Sequence, residues 1–289
     1  LSKIIKTALI QLSSTGDKQT NLDKTISKIQ EARTLGADMV ILQELFLTDY
    51  FCQEENTDFF ALAEPLNGRT SQILAEVAKQ NEVVIVASLF EFRAAGLYHN
   101  TTQVYDKDGS VAGLYRKMHI PDDPGFYEKF YFTPGDIGFS PIDTSLGKLG
   151  VLICWDQWFP EAARLMALSG AEILIYPTAI GWNPNDPEDE KARQIDAWVN
   201  IQRSHAIANG LPVIAVNRTG FEKPGIHFWG SSFACGPQGE ILAQAPINQE
   251  DLVMVEINLE RSREVRNIWP YFRDRRVDHY FDLTKIWND

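Results

Sequence analysis

Short apolar runs alternating with amphipathic stretches are the feature that most narrows what this chain can fold into. Ile4–Gln11, Asp38–Gln43, Val83–Glu91, Leu149–Cys154, Glu172–Pro177 and Val213–Asn217 read as strands, several of them almost free of polar residues. Strands apolar on both faces belong to sheets that are covered on both sides. Between them, Asn21–Leu35, Ser71–Gln80, Pro160–Leu168 and Asp189–Ala208 read as helices, the last ended by Asn209-Gly210 as a C-cap. Hairpin signals occur as well. Asp106-Lys107-Asp108-Gly109 joins Asn100–Tyr105 to Val111–Arg116, and Gly236-Pro237-Gln238-Gly239 joins Trp229–Cys235 to Ile241–Gln244. Leu252–Ile257 closes the pattern. Helical and hairpin connections together predict an α/β fold with mixed sheets covered by helices.

No linker, repeat or shift of composition interrupts this pattern, so one domain over residues 1–289 is expected. Residues 258–289 carry Trp269, Tyr271, Phe272, Tyr280 and Trp287, too aromatic for a free tail. They are expected to pack on the body or on another subunit. With 44% apolar and 23% charged residues, the chain is not disordered.

The 39 acidic residues against 27 basic ones leave a charge of −12, which repels a phosphate backbone and tolerates a cationic small molecule. No nucleic-acid partner is expected. Cys52, Cys154 and Cys235 are odd in number and far apart, so they outline no disulfide framework. His99, His119, His205, His227 and His279 show no metal-ligand spacing, and there is no GxGxxG or P-loop. Neither a metal nor a cofactor is expected. The longest apolar run, Val83–Phe90, is eight residues, short of a membrane span, and residues 1–14 lack a signal-peptide pattern. A cytoplasmic location is the expectation.

Three strand ends carry reactive groups, and loops at strand ends are where such folds hold their sites. Glu44 follows the apolar Val40–Leu42, and Lys117 lies in the basic exit Tyr115-Arg116-Lys117-Met118-His119. Cys154 ends Gly150-Val151-Leu152-Ile153-Cys154, ahead of the helix start expected at Pro160. Taken singly, each has a plain structural reading: a solvated glutamate, a solvated basic turn, a buried thiol. Together they supply a base, an oxyanion-stabilising cation and a nucleophile.

At these residues the chain resembles the carbon–nitrogen hydrolase (nitrilase) superfamily, whose Glu-Lys-Cys triad has this order and these contexts. The stretches His119–Phe132 and Ile153–Glu161 are similar to its N-carbamoylputrescine amidohydrolase branch. The resemblance implies an αββα sandwich, assembly into homo-oligomers of at least dimers, and Glu128 as a second carboxylate beside Lys117. It implies hydrolysis of a carbamoyl amine, with the Trp155 backbone N–H sharing the oxyanion. A nitrile or simple amide substrate, or a catalytically silent binding relative, is the alternative. Relatives that act on carbamoyl amino acids place arginine soon after the cysteine. Here Trp155-Asp156-Gln157-Trp158 stands there, with no cation until Arg164. The expected substrate therefore has a positive far end, met by Asp122, Asp123, Asp156 or the acidic run Asp186–Glu190. Tyr50 or the tryptophans would line the path for its methylenes.

Overall fold

In the computed structural model, which describes residues 4–288, the first half of the chain runs β1 (Ile4–Gln11), α1 (Lys18–Thr34), β2 (Met39–Leu42), α2 (Arg69–Asn81), β3 (Val84–Ala94), β4 (Leu97–Tyr105) and β5 (Val111–Arg116). The second half begins with β6 (Ile142–Thr144), β7 (Gly147–Val151), α3 (Pro160–Leu168), β8 (Ile173–Thr178), β9 (Gly181–Trp182) and α4 (Glu188–Asn209). It ends with β10 (Val213–Asn217), β11 (Thr219–Glu222), β12 (Ile226–Trp229), β13 (Phe233–Cys235), β14 (Ile241–Gln244), β15 (Asp251–Asn258) and α5 (Leu259–Ile268). Residues 1–3 and 289 of the expected domain lie outside the described residues.

Two six-stranded mixed sheets result, in the orders β15-β1-β2-β3-β4-β5 and β14-β13-β10-β8-β7-β6. In each, the central strands are parallel because a helix joins them, while hairpins add antiparallel strands at the edges. Period-two alternation decides which side chain faces which layer. Ile5, Leu9, Met39, Ile41, Val84 and Val86 pack into the core shared with the second sheet. Their neighbours Ala8, Ile10, Val40, Leu42, Ile85 and Ala87 pack instead against Leu22, Ile29, Leu74 and Val77 of α1 and α2. Ala162, Met166, Trp198 and Ala206 of α3 and α4 cover the second sheet in the same way. The architecture is the αββα sandwich. Each large aliphatic side chain wholly removed from water in these layers contributes about 1.5–3 kcal/mol. No helix among the described residues is long and apolar enough to cross a membrane.

One local expectation is corrected. Trp229–Cys235, expected as one strand, is broken at Gly230 and Ser231, whose backbones are both left-handed (φ 72° and 57°). The chain there leaves a small sheet, β11-β12-β9, and enters the large one as β13. Residues 259–268, within the C-terminal extension expected to pack on the body or on another subunit, form α5, which buries Ser262 and Val265. Phe272 lies under the guanidinium groups of Arg266 and Arg164, at 5.0 and 5.2 Å. By contrast Trp269, Tyr271, Phe281 and Trp287 are exposed in the single chain.

On β7, Gly150 lies tight against β8 and the turn that precedes it. A Cβ there would meet Leu174 Cδ2 at 2.7 Å and the Cβ of Ala171 at 2.9 Å. Gly150→Ala is expected to lower stability by about 1–3 kcal/mol through overpacking. A shift of the urea midpoint at unchanged slope checks it.

Candidate active site

Each sheet delivers polar side chains at the C-terminal ends of buried strands. Glu44 stands two residues beyond β2, and its N–H donates to the Thr178 carbonyl at the end of β8 (3.3 Å), tying one sheet to the other. Lys117 directly follows β5, its N–H donating to the Asn100 carbonyl (2.9 Å). Cys154 opens a one-turn 3₁₀ helix, Cys154–Trp158, three residues after β7.

The structure brings Glu44, Lys117, Glu128 and Cys154 together. Lys117 Nζ donates to Glu44 Oε1 at 2.8 Å and to Glu128 Oε1 and Oε2 at 2.9 and 2.7 Å. All three side chains are wholly buried. Asn100 Nδ2 also donates to Glu44 Oε1 (2.6 Å), and its own Oδ1 accepts from Ser88 Oγ (3.0 Å). Glu44 Oε1 is therefore doubly engaged, whereas Oε2 has no partner. That leaves one carboxylate oxygen free to take a proton.

Burial pushes the Cys154 thiol well above its ordinary range, and the negative charge of Glu44 adds to the rise against a smaller pull from Lys117. The sulfur is thus held as a thiol, donating weakly to the Ala179 carbonyl at 3.6 Å. It needs a base at the moment of attack. Burial alone would depress Lys117. The charges of Glu128 and Glu44 override this and hold its ammonium well above the usual range. Glu128 is pushed up to about 7 by burial and by Glu44, with the donations from Lys117 and Tyr50 offsetting only part.

The turn that carries the nucleophile is built by Asp156. Cys154 has a left-handed backbone (φ 42°), uncommon for a residue with a side chain. Asp156 Oδ2 accepts from the Ile153 N–H and from Tyr115 Oη, both at 2.9 Å, while Oδ1 accepts from the His119 N–H at 3.0 Å. Asp156 is wholly buried and does not line the cavity. Its place is within the turn, not opposite a substrate's far end. Tyr50 is also buried, and its hydroxyl donates to Glu128 Oε1 at 2.6 Å; it borders no methylene path in that cavity. Asp122 is exposed and stands outside the lining.

The cavity beside Cys154 measures about 530 Å³, within the ordinary range for small-molecule sites. Trp155, Trp158 and Trp229 wall it, together with Asp123 and Asp186. Asp123 Oδ1 is buried without a partner, and burial together with the neighbouring Asp122 charge raises its carboxyl. Asp186 accepts from Gln194 Nε2 at 3.2 Å. Among the described residues lining the cavity, none is lysine or arginine. Asn100 and Ser88 are the participants that sequence reasoning missed. The signal for Asn100 was a run of polar residues, His99–Gln103, inside a strand that buries all five, and that for Ser88 was a lone hydroxyl within the apolar part of β3.

Fold and site define a hydrolase-like α/β sandwich with a buried Glu-Lys-Cys cluster at the strand ends. The carbon–nitrogen hydrolase family model matches residues 6–267, and the chain belongs to that family. An N-carbamoylputrescine amidase of Oryza sativa subsp. japonica is 44% identical over 290 residues, covering 98% of this chain and 95% of that protein. A citrullinase of Francisella tularensis subsp. tularensis is 40% identical, covering 97% and 98%. The crystal structure of a carbon–nitrogen hydrolase from Helicobacter pylori G27 superposes with a TM-score of 0.96 at 53% identity, covering 99% of this chain and 100% of that one.

The raised Glu128 carboxyl gives a pH signature. Between the ordinary glutamate value of 4.5 and about 7, the folded chain keeps a proton that the unfolded chain has released. Glu128 therefore makes stability fall as pH rises through that window and adds no slope above it. Urea unfolding of the wild type against Glu128→Gln, followed from pH 5 to 7.5, checks this. The wild type should lose stability relative to the variant as pH approaches 7.

Proposed function

We propose that this chain hydrolyses N-carbamoylputrescine to putrescine, carbon dioxide and ammonia through Cys154. The observation that carries the reading is the cavity: a thiol on its wall, two carboxylates on its lining and no cation among the described lining residues. Glu44, through the free Oε2, takes the thiol proton as sulfur bonds to the carbamoyl carbon. The oxyanion that forms is met by Lys117 and by the N–H of Trp155, which lies in the first turn of the 3₁₀ helix and so has no acceptor within it. The C–NH₂ bond breaks, Glu44 returns the proton, and ammonia leaves an S-linked carbamoyl enzyme. Water activated by Glu44 then adds to the carbonyl carbon, the C–S bond breaks, and the released carbamic acid loses carbon dioxide to give the amine. Glu128 holds Lys117 in place throughout.

Asp123 and Asp186 take the distal ammonium, and the tryptophans cover the methylenes. The identity to an N-carbamoylputrescine amidase over nearly the whole length supports this choice. The relative named citrullinase supports a second reading, in which the far end bears both an ammonium and a carboxylate. In this cavity that carboxylate would face Asp123 and Asp186, and burying it without a cation costs several kcal/mol. A homo-oligomeric single domain belongs to the same proposal, supported by the exposed Trp269, Tyr271, Phe281 and Trp287. Sedimentation at assay concentration is the test of that part.

Cys154→Ala is expected to retain the fold and lose turnover, and persistent ammonia release by that variant would exclude a thiol route. Lys117→Ala should lose on the order of 10²–10³ or more in turnover, as loss of an oxyanion donor does, and Glu44→Gln at least as much.

Substrate choice is checked by specificity constants for N-carbamoylputrescine, citrulline and N-carbamoyl-β-alanine under one ammonia-release assay. The order should follow that sequence. Preference for N-carbamoyl-β-alanine would overturn the assignment of the far end while leaving the cysteine chemistry intact.

A further inference from the structure

Among the described residues, Arg218 is the largest charged side chain that is buried completely, and the chemistry above makes no use of it. It stands between β10 and β11, outside the lining of the substrate cavity. Its Nη1 donates to both carboxylate oxygens of Glu222 at 2.9 Å. Its Nη2 serves three carbonyls of a single loop: Glu44 at 3.2 Å, Leu45 at 2.9 Å and Thr48 at 3.0 Å. The planar group lies over the rings of Phe228 and Tyr50, 5.3 and 5.9 Å from their centroids.

Those contacts converge on the two carboxylates that flank Lys117. Leu45, the residue after the base, has a left-handed backbone (φ 49°). Its carbonyl is held by Arg218 and its N–H by Ser88 Oγ at 3.1 Å, so the strained peptide is pinned from both sides. Ser88 also donates to Asn100, which donates to Glu44 Oε1. On the other arm, Glu222 accepts the Tyr50 N–H at 2.5 Å, and Tyr50 Oη donates to Glu128. One buried ion pair thus fixes the backbone of the base and the partner of the second carboxylate.

We propose that Arg218, with Glu222, is a positioning residue that sets the aim of Glu44 at the Cys154 thiol. It touches neither substrate nor reacting atoms and acts through the loop that carries Glu44. The inference rests on Glu44 being the base in the proposed function. Lysine cannot replace it, because one ammonium cannot span a bidentate carboxylate and three carbonyls at once. Displacement of a reacting group by about an ångström typically lowers rate about 10²-fold.

The test compares wild type, Arg218→Lys, Glu222→Gln and Glu44→Gln as folded proteins, each measured per titrated active site. Two readouts are taken: the split of kcat against KM for N-carbamoylputrescine, and the rate of Cys154 alkylation by iodoacetamide against pH. Arg218→Lys should lower kcat about 10²-fold with KM changed less than threefold, and should slow alkylation in parallel. Glu222→Gln should move both in the same direction by about tenfold. A folded Arg218→Lys whose kcat and alkylation profile stay within twofold of wild type, with only its melting temperature lowered, overturns the proposal. If Arg218→Lys does not fold, Glu222→Gln decides by the same criterion, since it preserves volume and leaves the guanidinium in place. The alkylation arm needs no substrate, so absence of ammonia release by wild type tells against the proposed function and not against Arg218. Equal alkylation of wild type and Glu44→Gln tells against Glu44 as the base.

Discussion

The Lys117 ammonium, wholly buried between Glu44 and Glu128, is the interaction on which the rest of the site depends. A charge taken out of water costs several kcal/mol unless it is paired and hydrogen-bonded, and here one cation faces two carboxylates. The cluster carries an uneven charge in a dry setting, which is why Glu128 is pushed up to about 7 while the ammonium is held firmly protonated. Such a cluster persists only inside a rigid frame. The frame is supplied by two sheets whose central strands are buried on both faces, so that Glu44 and Lys117 follow strand ends anchored in the core.

The second constraint is the turn at Cys154. A left-handed backbone at a non-glycine residue stores strain, and the structure meets it with Asp156, which binds the peptide before the cysteine and the segment after Lys117. That single carboxylate joins the nucleophile's turn to the chain that carries the cation. It is an acid placed beside the nucleophile in sequence whose side chain serves the turn and not the ligand cavity.

Much of this was legible in the residues themselves. Apolar runs without polar interruption pointed to mixed sheets covered by helices, while the αββα layering came from the family resemblance around Glu44, Lys117 and Cys154. Pro160–Leu168 and Val213–Asn217 match their expected bounds because proline and flanking polar residues mark them sharply. Glu44, Lys117 and Cys154 stood out as polar groups closing apolar strands, and the matching stretches around them identified Glu128. What stayed hidden depends on contacts far apart in the chain. Asp122, Asp123 and Asp156 look equivalent as letters, yet burial leaves one exposed, one on the cavity and one inside a turn. Tyr50 read as an aromatic wall because its hydroxyl partner is 78 positions away. The break at Gly230-Ser231 was marked only by the short cluster Gly230-Ser231-Ser232, and its consequence, a change from the small sheet to the large one, depends on pairings far apart in the chain.

The central claim is that the carbamoyl carbon passes through a covalent bond to Cys154, with Glu44 moving the protons of both half-reactions. Acid-quenching the enzyme during turnover of N-carbamoylputrescine and mapping the peptides by mass spectrometry tests this directly. The account predicts a substituted carbamoyl group on the peptide containing Cys154 in the wild type, and far less of it in Glu44→Gln, where the thiol lacks the base that starts its attack. Turnover accompanied by no adduct, or by an adduct on Cys52 or Cys235 instead, would contradict it.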